Sequence, residues 1–216
     1  KKSDLNINTY YIIGKSKKKI EFDKFIEEFN LNNYEYLISS SFNSIEQDLV
    51  NLLKTNNLTI SFAESCTGGR VAEAIIAVPG ASAYFKGGVV SYTNDIKESI
   101  LGVDHQLLEE KTAVCKEVAI AMVKGAIKAL NVDFAIATTG VAGPAGGTAE
   151  NPVGTIWIAC GSADDVETVK LTEDFGRDIN LAIATSKALQ LFLNYLSEHL
   201  PKPAVEGEAP IVNMEL

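Results

Sequence analysis

The sequence predicts a three-layer α/β/α sandwich with a mixed, mostly parallel sheet, preceded by a short N-terminal extension. From residue 43 onward, apolar runs of strand length alternate with amphipathic segments of helix length, which is the pattern of α/β proteins. Two strand patterns flank the turn at residues 161–165, and such a hairpin requires at least one antiparallel strand. With 216 residues, 46% of them hydrophobic, the chain can bury a core without disulfides or a structural metal.

The strands are predicted from short apolar runs that are bounded by turn-forming residues. The first run leads into the segment 63–69, the second into Asn94, and the third into a glycine-rich segment that ends at Pro152. The last two runs form the hairpin. The predicted strands cover residues 58–62, 88–92, 134–138, 153–160 and 166–171.

The helices are predicted from apolar side chains that recur at spacings typical of one helix face. Ser65 and Thr67 are residue types that cap helices, so the second helix is expected to begin near residues 65–67. Pro79 and Gly80 are expected to end it. The predicted helices cover residues 45–53, 65–78, 96–101, 114–130 and 179–196.

Composition divides the chain near residue 42. Residues 1–42 hold eight of the 17 aromatic residues but only one of the 16 glycines, and they carry a formal charge of +1 against −10 for the remainder. We therefore expect an N-terminal extension at 1–42, an α/β domain at 43–200 and a tail at 201–216. Lys15 and residues 17–19 form a basic run typical of a solvated surface loop.

Charge and composition exclude several classes of protein. The formal net charge of −9 argues against direct binding of nucleic acid, because an acidic surface repels phosphates. No run of 18 uncharged apolar residues is present, so no membrane association is expected. Three cysteines without a secretory signal pattern predict a cytoplasmic protein with reduced thiols. His105 and His199 are too few for a His-rich metal site, and neither a metal nor a cofactor is expected. The oligomeric state stays open, with a homo-oligomer among the alternatives.

The most informative segment is residues 63–69, where a buried strand is expected to turn into a helix. Ligands of α/β proteins bind at such strand ends, and free N–H groups at a helix start stabilise negative charge. Ser65 is therefore a candidate nucleophile beside ready-made oxyanion donors. In the alternative interpretation, Ser65 and Thr67 only cap the helix and the two glycines only allow close packing. Cys66 is a competing nucleophile, but adjacent side chains point in different directions, and we expect Cys66 to pack inward.

A second strand end carries Tyr92 and Lys97, which can face the same crevice as Ser65. A lysine in a partly desolvated pocket has a lowered pKa and can act as a base. With so few histidines, Lys97 is the natural base for Ser65, with Tyr92 orienting or relaying. The alternative is an ordinary exposed helix lysine.

Two further segments can contact a substrate. Four glycines in residues 140–147 suit a loop that cradles an anion, although the segment lacks the lysine and hydroxyl residue that end a P-loop. Arg177 precedes the last predicted helix and can bind a phosphate through two N–H groups. It could equally pair with Asp174 or Asp178 at the surface.

Taken together, these segments resemble the C-terminal domain of the CinA family, the competence/damage-inducible proteins that include the nicotinamide-nucleotide amidases. The resemblance covers about residues 46–198. The matching motifs are 63–69 (AESCTGG), 78–82 (VPGAS), 87–94 (GGVVSYTN) with Lys97, 101–103 (LGV), 139–144 (TGVAGP) and 152–155 (PVGT).

The resemblance implies hydrolysis of nicotinamide mononucleotide to nicotinic acid mononucleotide and ammonia, as in pyridine-nucleotide salvage. It places the family's serine, tyrosine and lysine on Ser65, Tyr92 and Lys97. Residues at matching positions are expected to contact the substrate: Glu64, Cys66, Thr67, Gly68, Gly69, Asn94, Thr139, Gly140, Gly143 and Arg177.

The chain departs from the family pattern at the last helix. Family members usually carry Gly-Asp-Arg before this helix and a second arginine one turn later. Here Gly176 directly precedes Arg177, and Leu181 stands at the position of the second arginine. This departure motivates the alternative of a catalytically weak nucleotide-binding or regulatory module. A nucleotide pyrophosphatase, suggested for longer CinA proteins, ranks last because it would need a carboxylate cluster for metal. Residues 11–16 bear a weak likeness to the linker region of those longer proteins.

Overall fold

The computed structural model describes residues 43–200, which form an open five-stranded sheet with helices on both faces. The predictions for the extension at 1–42 and for the tail at 201–216 fall outside the described residues. In chain order the strands are β1 Ile60–Glu64, β2 Phe85–Val90, β3 Phe134–Gly140, β4 Ile156–Gly161 and β5 Val166–Leu171. The helices are α1 Ile45–Thr55, α2 Arg70–Ile76, α3 Asn94–Ser99, α4 His105–Lys111, α5 Lys116–Leu130 and α6 Arg177–His199. A 3-10 turn, Ala81–Ala83, precedes β2.

The strand order is β2-β1-β3-β4-β5, which confirms the predicted mixed sheet. β1 pairs in parallel with both β2 and β3, whereas β4 is antiparallel to β3 and to β5. Four strands therefore run in one direction and β4 alone runs in the other. The hairpin of β4 and β5 lies where the sequence predicted it.

Two apolar cores fill the spaces between the layers. On one face, the large side chains of the strands, such as Phe62 and Ile136, pack against α1, α2 and α6. On the other face, small residues such as Ala63 and Ala137 pack against α4 and α5. Because the side chains on this face are small, the alanine-rich α5 can pack closely against the sheet.

Helix α4 was absent from the sequence prediction, because it is short and Leu108 is its one buried residue. Asp104 caps α4 by accepting a hydrogen bond from the N–H of Leu107, a signal that was present in the sequence. Among the described residues, no helix has the length and apolar character needed to cross a membrane.

Candidate active site

Strand direction brings four chain segments to one edge of the sheet. β1, β2, β3 and β5 all end at this edge, because β5 is antiparallel to the one reversed strand. The segments that follow these strands begin at Ser65, Ser91, Val141 and Thr172. All four chemically informative segments of the sequence therefore leave the sheet on the same side.

A side-chain contact between Lys97 and Ser65 lies at this edge. The Nζ of Lys97 lies 3.2 Å from the Oγ of Ser65, and both residues are buried. Ser65 directly follows β1, and its N–H donates to the carbonyl of Thr138 on the neighbouring β3. Lys97 lies on α3, which follows β2 on the other side of β1. The predicted nucleophile and base are thus within hydrogen-bonding distance.

Burial makes the amine of Lys97 easier to deprotonate than that of an exposed lysine. Only 1% of the residue is exposed, and this burial lowers the pKa of its amine, against a smaller opposing effect of Cys66 and Asp95. Its Nζ also donates to the carbonyl oxygens of Ser91, at 2.7 Å, and Tyr92, at 3.3 Å. A neutral amine has two N–H groups, which these two carbonyls accept. Its lone pair is then left for the proton of Ser65.

Burial shifts the pKa of Cys66 in the direction opposite to that of Lys97. The pKa of its thiol is raised to about 11, mainly by burial and in smaller part by the nearby Glu64 carboxylate. Hydrogen bonds to the thiolate from backbone N–H groups and from the Thr138 hydroxyl oppose this rise. A thiol with such a pKa is protonated at neutral pH and is a poor nucleophile. Cys66 also belongs to the apolar core between the sheet, α1, α2 and α6.

The prediction that α2 begins near residues 65–67 is wrong, and Glu64 is the physical reason. Residues 65–69 form a turn, and α2 starts only at Arg70, after Gly69 at φ 103°. The carboxylate of Glu64, 2% exposed, accepts hydrogen bonds from the N–H groups of Gly69 (2.9 Å), Val71 (3.2 Å) and Ala72 (2.9 Å). These N–H groups, Gly69's among them, are therefore occupied by an internal anion. The other N–H groups of the turn belong to Cys66, Thr67 and Gly68.

Tyr92 and Asn94 lie near the pair but differ from Ser65 and Lys97 in exposure. Tyr92 contributes its backbone carbonyl to Lys97, whereas the residue as a whole is 64% exposed. Its phenol forms no hydrogen bond within residues 43–200, so its orienting or relaying role remains a prediction. Asn94 is the exposed first residue of α3.

The third and fourth predicted segments meet through Arg177. Its Nη1 donates to the carbonyl of Gly143 at 2.8 Å. Neither predicted surface partner pairs with it in the described part of the chain. Asp174 instead accepts from Asn180 and from the N–H of Gly176, and these two bonds lower the pKa of its carboxyl.

Two more of the predicted substrate contacts have internal roles. The hydroxyl of Thr139 donates to the carbonyl of Ala113 at 2.7 Å. A Cβ at Gly140 would lie 2.6 Å from the Cα of Ile156, so this glycine allows β3 and β4 to approach closely. Contacts of these residues with a substrate remain predictions.

Sequence reasoning missed Thr138 and Ser91 as site residues. Thr138 holds the N–H of Ser65 through its carbonyl, and Ser91 holds the amine of Lys97 in the same way. Both contacts use the main chain, which leaves no trace in the residue type. Only the pairing of the strands could have indicated them.

Two observations concern catalysis by histidine or by a metal ion at this site. His105 contacts Glu98, and His199 contacts Tyr195 and Asp165, so neither histidine is hydrogen-bonded to Ser65. Within the described range, no group of three or more His, Cys, Asp or Glu side chains is placed to hold a metal ion.

Comparison with known proteins finds a matching family model and similar curated proteins. A family model described as the CinA C-terminal domain matches residues 42–196. A CinA-like protein of Geotalea uraniireducens is 44% identical over 137 residues, covering 63% of this chain and 33% of that protein. A CinA-like protein of Gloeobacter violaceus is 46% identical over 142 residues, covering 65% of this chain and 33% of that protein. The chain spans less than half the length of the curated relatives it matches.

Solved structures share the fold. The competence/damage inducible protein CihA of Agrobacterium tumefaciens superposes with a TM-score of 0.66 at 36% identity, covering 72% of this chain and 99% of that chain. A competence-damaged protein (CinA) superfamily protein of Escherichia coli superposes with a TM-score of 0.67 at 34% identity, covering 76% of this chain and 98% of that one.

Proposed function

Because the chain belongs to the family of the CinA C-terminal domain, we propose that it hydrolyses the carboxamide of nicotinamide mononucleotide to nicotinic acid mononucleotide and ammonia. The observation that supports an amidase is the buried pair of Ser65 and Lys97, whose Oγ and Nζ atoms are 3.2 Å apart. A nucleophile and a base within hydrogen-bonding distance are the minimum for acyl transfer without a metal.

The first step forms an ester on Ser65. The Oγ of Ser65 attacks the amide carbon while its proton passes to the neutral amine of Lys97. The pyridinium ring of the substrate withdraws electrons and makes this carbonyl more electrophilic. The C–N bond then breaks, and the proton on Lys97 leaves with ammonia.

The second step releases the acid. Water attacks the acyl group on Ser65, giving up a proton to Lys97, and the bond to Oγ breaks as that oxygen regains a proton. Both steps develop an oxyanion beside the turn at residues 65–69. The N–H groups of Cys66, Thr67 and Gly68, which Glu64 does not use, are the candidate donors. Such a donor is typically worth about 3–4 kcal/mol in the transition state.

The remaining site residues orient the nucleotide. Arg177 uses one N–H on the carbonyl of Gly143, and its other N–H groups are available to a phosphate. The exposed ring of Tyr92, whose carbonyl is bonded to Lys97, provides a face for the cationic pyridinium.

One observation favours the alternative of a weakly catalytic binding module. Leu181, at the position where family members carry a second arginine, is 5% exposed and belongs to the core. The phosphate would then be held by fewer cationic groups, which weakens binding more than it alters the buried Ser65–Lys97 pair.

Ammonia release from nicotinamide mononucleotide tests both readings. We expect turnover by the parent protein and by Cys66→Ala, with or without a chelator, and none by Ser65→Ala. Binding without turnover in the parent would favour the regulatory module. Activity that is lost on chelation and restored by a divalent ion would favour a metal-dependent hydrolase.

A further inference from the structure

A chain of buried hydrogen bonds lies beneath the turn that carries Ser65. The hydroxyl of Thr67 is 2.6 Å from the Oε2 of Glu64 and 2.6 Å from the Oγ1 of Thr138. Glu64, Thr67 and Thr138 are all at most 2% exposed. Glu64 ends β1, and Thr138 lies on β3. These hydrogen bonds therefore join the turn to β1 and β3, two neighbouring parallel strands.

The proton positions in this chain follow from the chemistry of its members. The Glu64 carboxylate also faces the N–H groups of Gly69, Val71 and Ala72, so it acts as an acceptor only. Thr67 must then donate its single proton to Glu64. It has none left for Thr138, so Thr138 donates to Thr67. The Thr138 proton is free to do so at neutral pH because the thiol of Cys66 is then itself protonated.

Thr138 also holds the nucleophile through its main chain. Its carbonyl accepts the N–H of Ser65 at 2.9 Å, while its side chain holds Thr67. The turn is thus attached to β3 on both sides of Cys66. A rotation of the turn about either attachment would require the other one to break.

Packing alone does not fix the path of this turn. Gly68 and Gly69 adopt φ values of +60° and +103°, and a Cβ at either position would meet nothing within 4 Å. No neighbouring side chain therefore packs in the direction of a Cβ at these two glycines. The Thr67 hydroxyl and the N–H of Gly69 hold this side of the turn through hydrogen bonds.

We propose that Glu64, Thr67 and Thr138 are positioning residues that keep the Oγ of Ser65 within reach of Lys97. The inference rests on the proposed function, in which Ser65 is the nucleophile. The Ser65–Lys97 distance of 3.2 Å lies near the upper end of hydrogen-bond lengths, so a small displacement of the turn breaks the contact. A misplacement of about 1 Å in an active site can cost about 100-fold in rate.

The decisive variant is Thr67→Val, which keeps the shape of the side chain and removes both of its hydrogen bonds. A fluorophosphonate can label Ser65 without a bound nucleotide, so its labelling rate reports on the reactivity of Ser65 alone. The Oγ of Ser65 forms a bond to phosphorus, the P–F bond breaks to release fluoride, and the proton passes to Lys97. We expect the labelling rate of Ser65 and kcat to fall at least about tenfold, with KM and the pH midpoint of activity nearly unchanged. Thr67→Ser keeps the hydroxyl and should restore both rates.

Thr59→Val is a matched control at the opposite end of β1. The hydroxyl of Thr59 also donates to a carboxylate, that of Asp133 at 2.6 Å, and accepts a backbone N–H at 3.1 Å. Its loss should lower the unfolding temperature without changing the labelling rate. If Thr67→Val fails to fold, Thr138→Val serves instead. It removes the hydroxyl that contacts Thr67 and should also slow the labelling of Ser65.

The outcomes separate this inference from the proposed function. Labelling of Thr67→Val at the parental rate, or an equal fall in Thr59→Val, would overturn the positioning role and leave the amidase proposal standing. Failure of the parent protein to be labelled at Ser65 would overturn both. Slow labelling of Thr67→Val, with recovery in Thr67→Ser, supports the positioning role even if the physiological amide differs from the one proposed.

Discussion

Lys97 reaches Ser65 across 32 positions of sequence, with Nζ and Oγ 3.2 Å apart. The two meet because β1 and β2 are parallel neighbours whose ends lie side by side. Ser65 follows the first strand directly, and Lys97 follows the second after part of a short helix. The backbone carbonyls of Ser91 and Tyr92 hold the amine in place from the other side. The main chain thus orients this amine through two carbonyl oxygens.

Replacement of the nucleophile and the base should not have additive effects. Ser65→Ala should reduce kcat by roughly a million-fold, the scale seen when a nucleophile is lost elsewhere. Lys97→Ala should also abolish turnover, and the double variant should be no slower than either single variant. Steady-state ammonia release and calorimetric binding of the nucleotide measure both effects. Additive losses would mean that the two residues do not act as a unit.

Cys66→Ala provides the control for these two variants. Cys66 lies next to Ser65, and its thiol is protonated at neutral pH. The Cys66→Ala variant should retain activity and substrate affinity. An inactive Cys66→Ala together with an active Ser65→Ala would assign the nucleophile to the thiol.

The activity should rise with pH through the titration of Lys97. The amine is a base only when neutral, that is, above its pKa, and burial lowers that pKa below the ~10.4 of a free lysine. The negative charge of Asp95 raises the pKa, so Asp95→Asn should move the midpoint of kcat to lower pH. Glu73→Gln, an exposed change on α2, is the control and should leave the midpoint unchanged. A shift to higher pH in Asp95→Asn would contradict the assignment of Lys97 as base.

Loss of Arg177 should act on substrate binding rather than on chemistry. Arg177→Ala removes a charged donor near the glycine-rich loop, so KM should rise by about 10–100-fold while kcat changes little. Lys187→Ala, later in the same helix, should leave both constants unchanged. An equal KM for Arg177→Ala and the parent would place the phosphate elsewhere.

A shortened chain that begins at Asn43 should fold and turn over at a similar rate. All five strands, both cores and the Ser65–Lys97 pair lie within residues 43–200. Thermal unfolding and kcat/KM measured beside the full chain check this expectation. Aggregation would indicate that residues 1–42 cover apolar surface, and a folded but inactive chain would indicate that they complete the site.

The fold was largely predictable because hydrophobic periodicity reports local structure. The last helix and the hairpin of β4 and β5 carry strong patterns, and both were predicted. Helix α4 was not, because its single buried residue leaves almost no periodic signal. The order of the strands depends on contacts between distant residues, which periodicity does not report.

The candidate site was predictable where chemistry depends on residue type and not where it depends on the main chain. Ser65 and Lys97 could be identified from their side chains. The delayed start of α2 could not, because it results from Glu64 accepting the N–H groups that a normal helix start leaves free. Thr138 gave no signal of its own, since its carbonyl acts only through the pairing of β1 with β3.

The reversed direction of β4 has a practical consequence for redesigning the candidate site. The segment between β3 and β4 leaves the sheet and re-enters it at the same edge, so it crosses neither core. Ser65 and Lys97 lie earlier in the chain, within residues 65–97. The loop is anchored to α6, because Arg177 donates to the carbonyl of Gly143 and Asn180 donates to that of Ala142. Loops that retain residues 142–143 but differ elsewhere between Gly140 and Ile156 therefore provide a way to vary substrate contacts while the Ser65–Lys97 pair keeps its own scaffold.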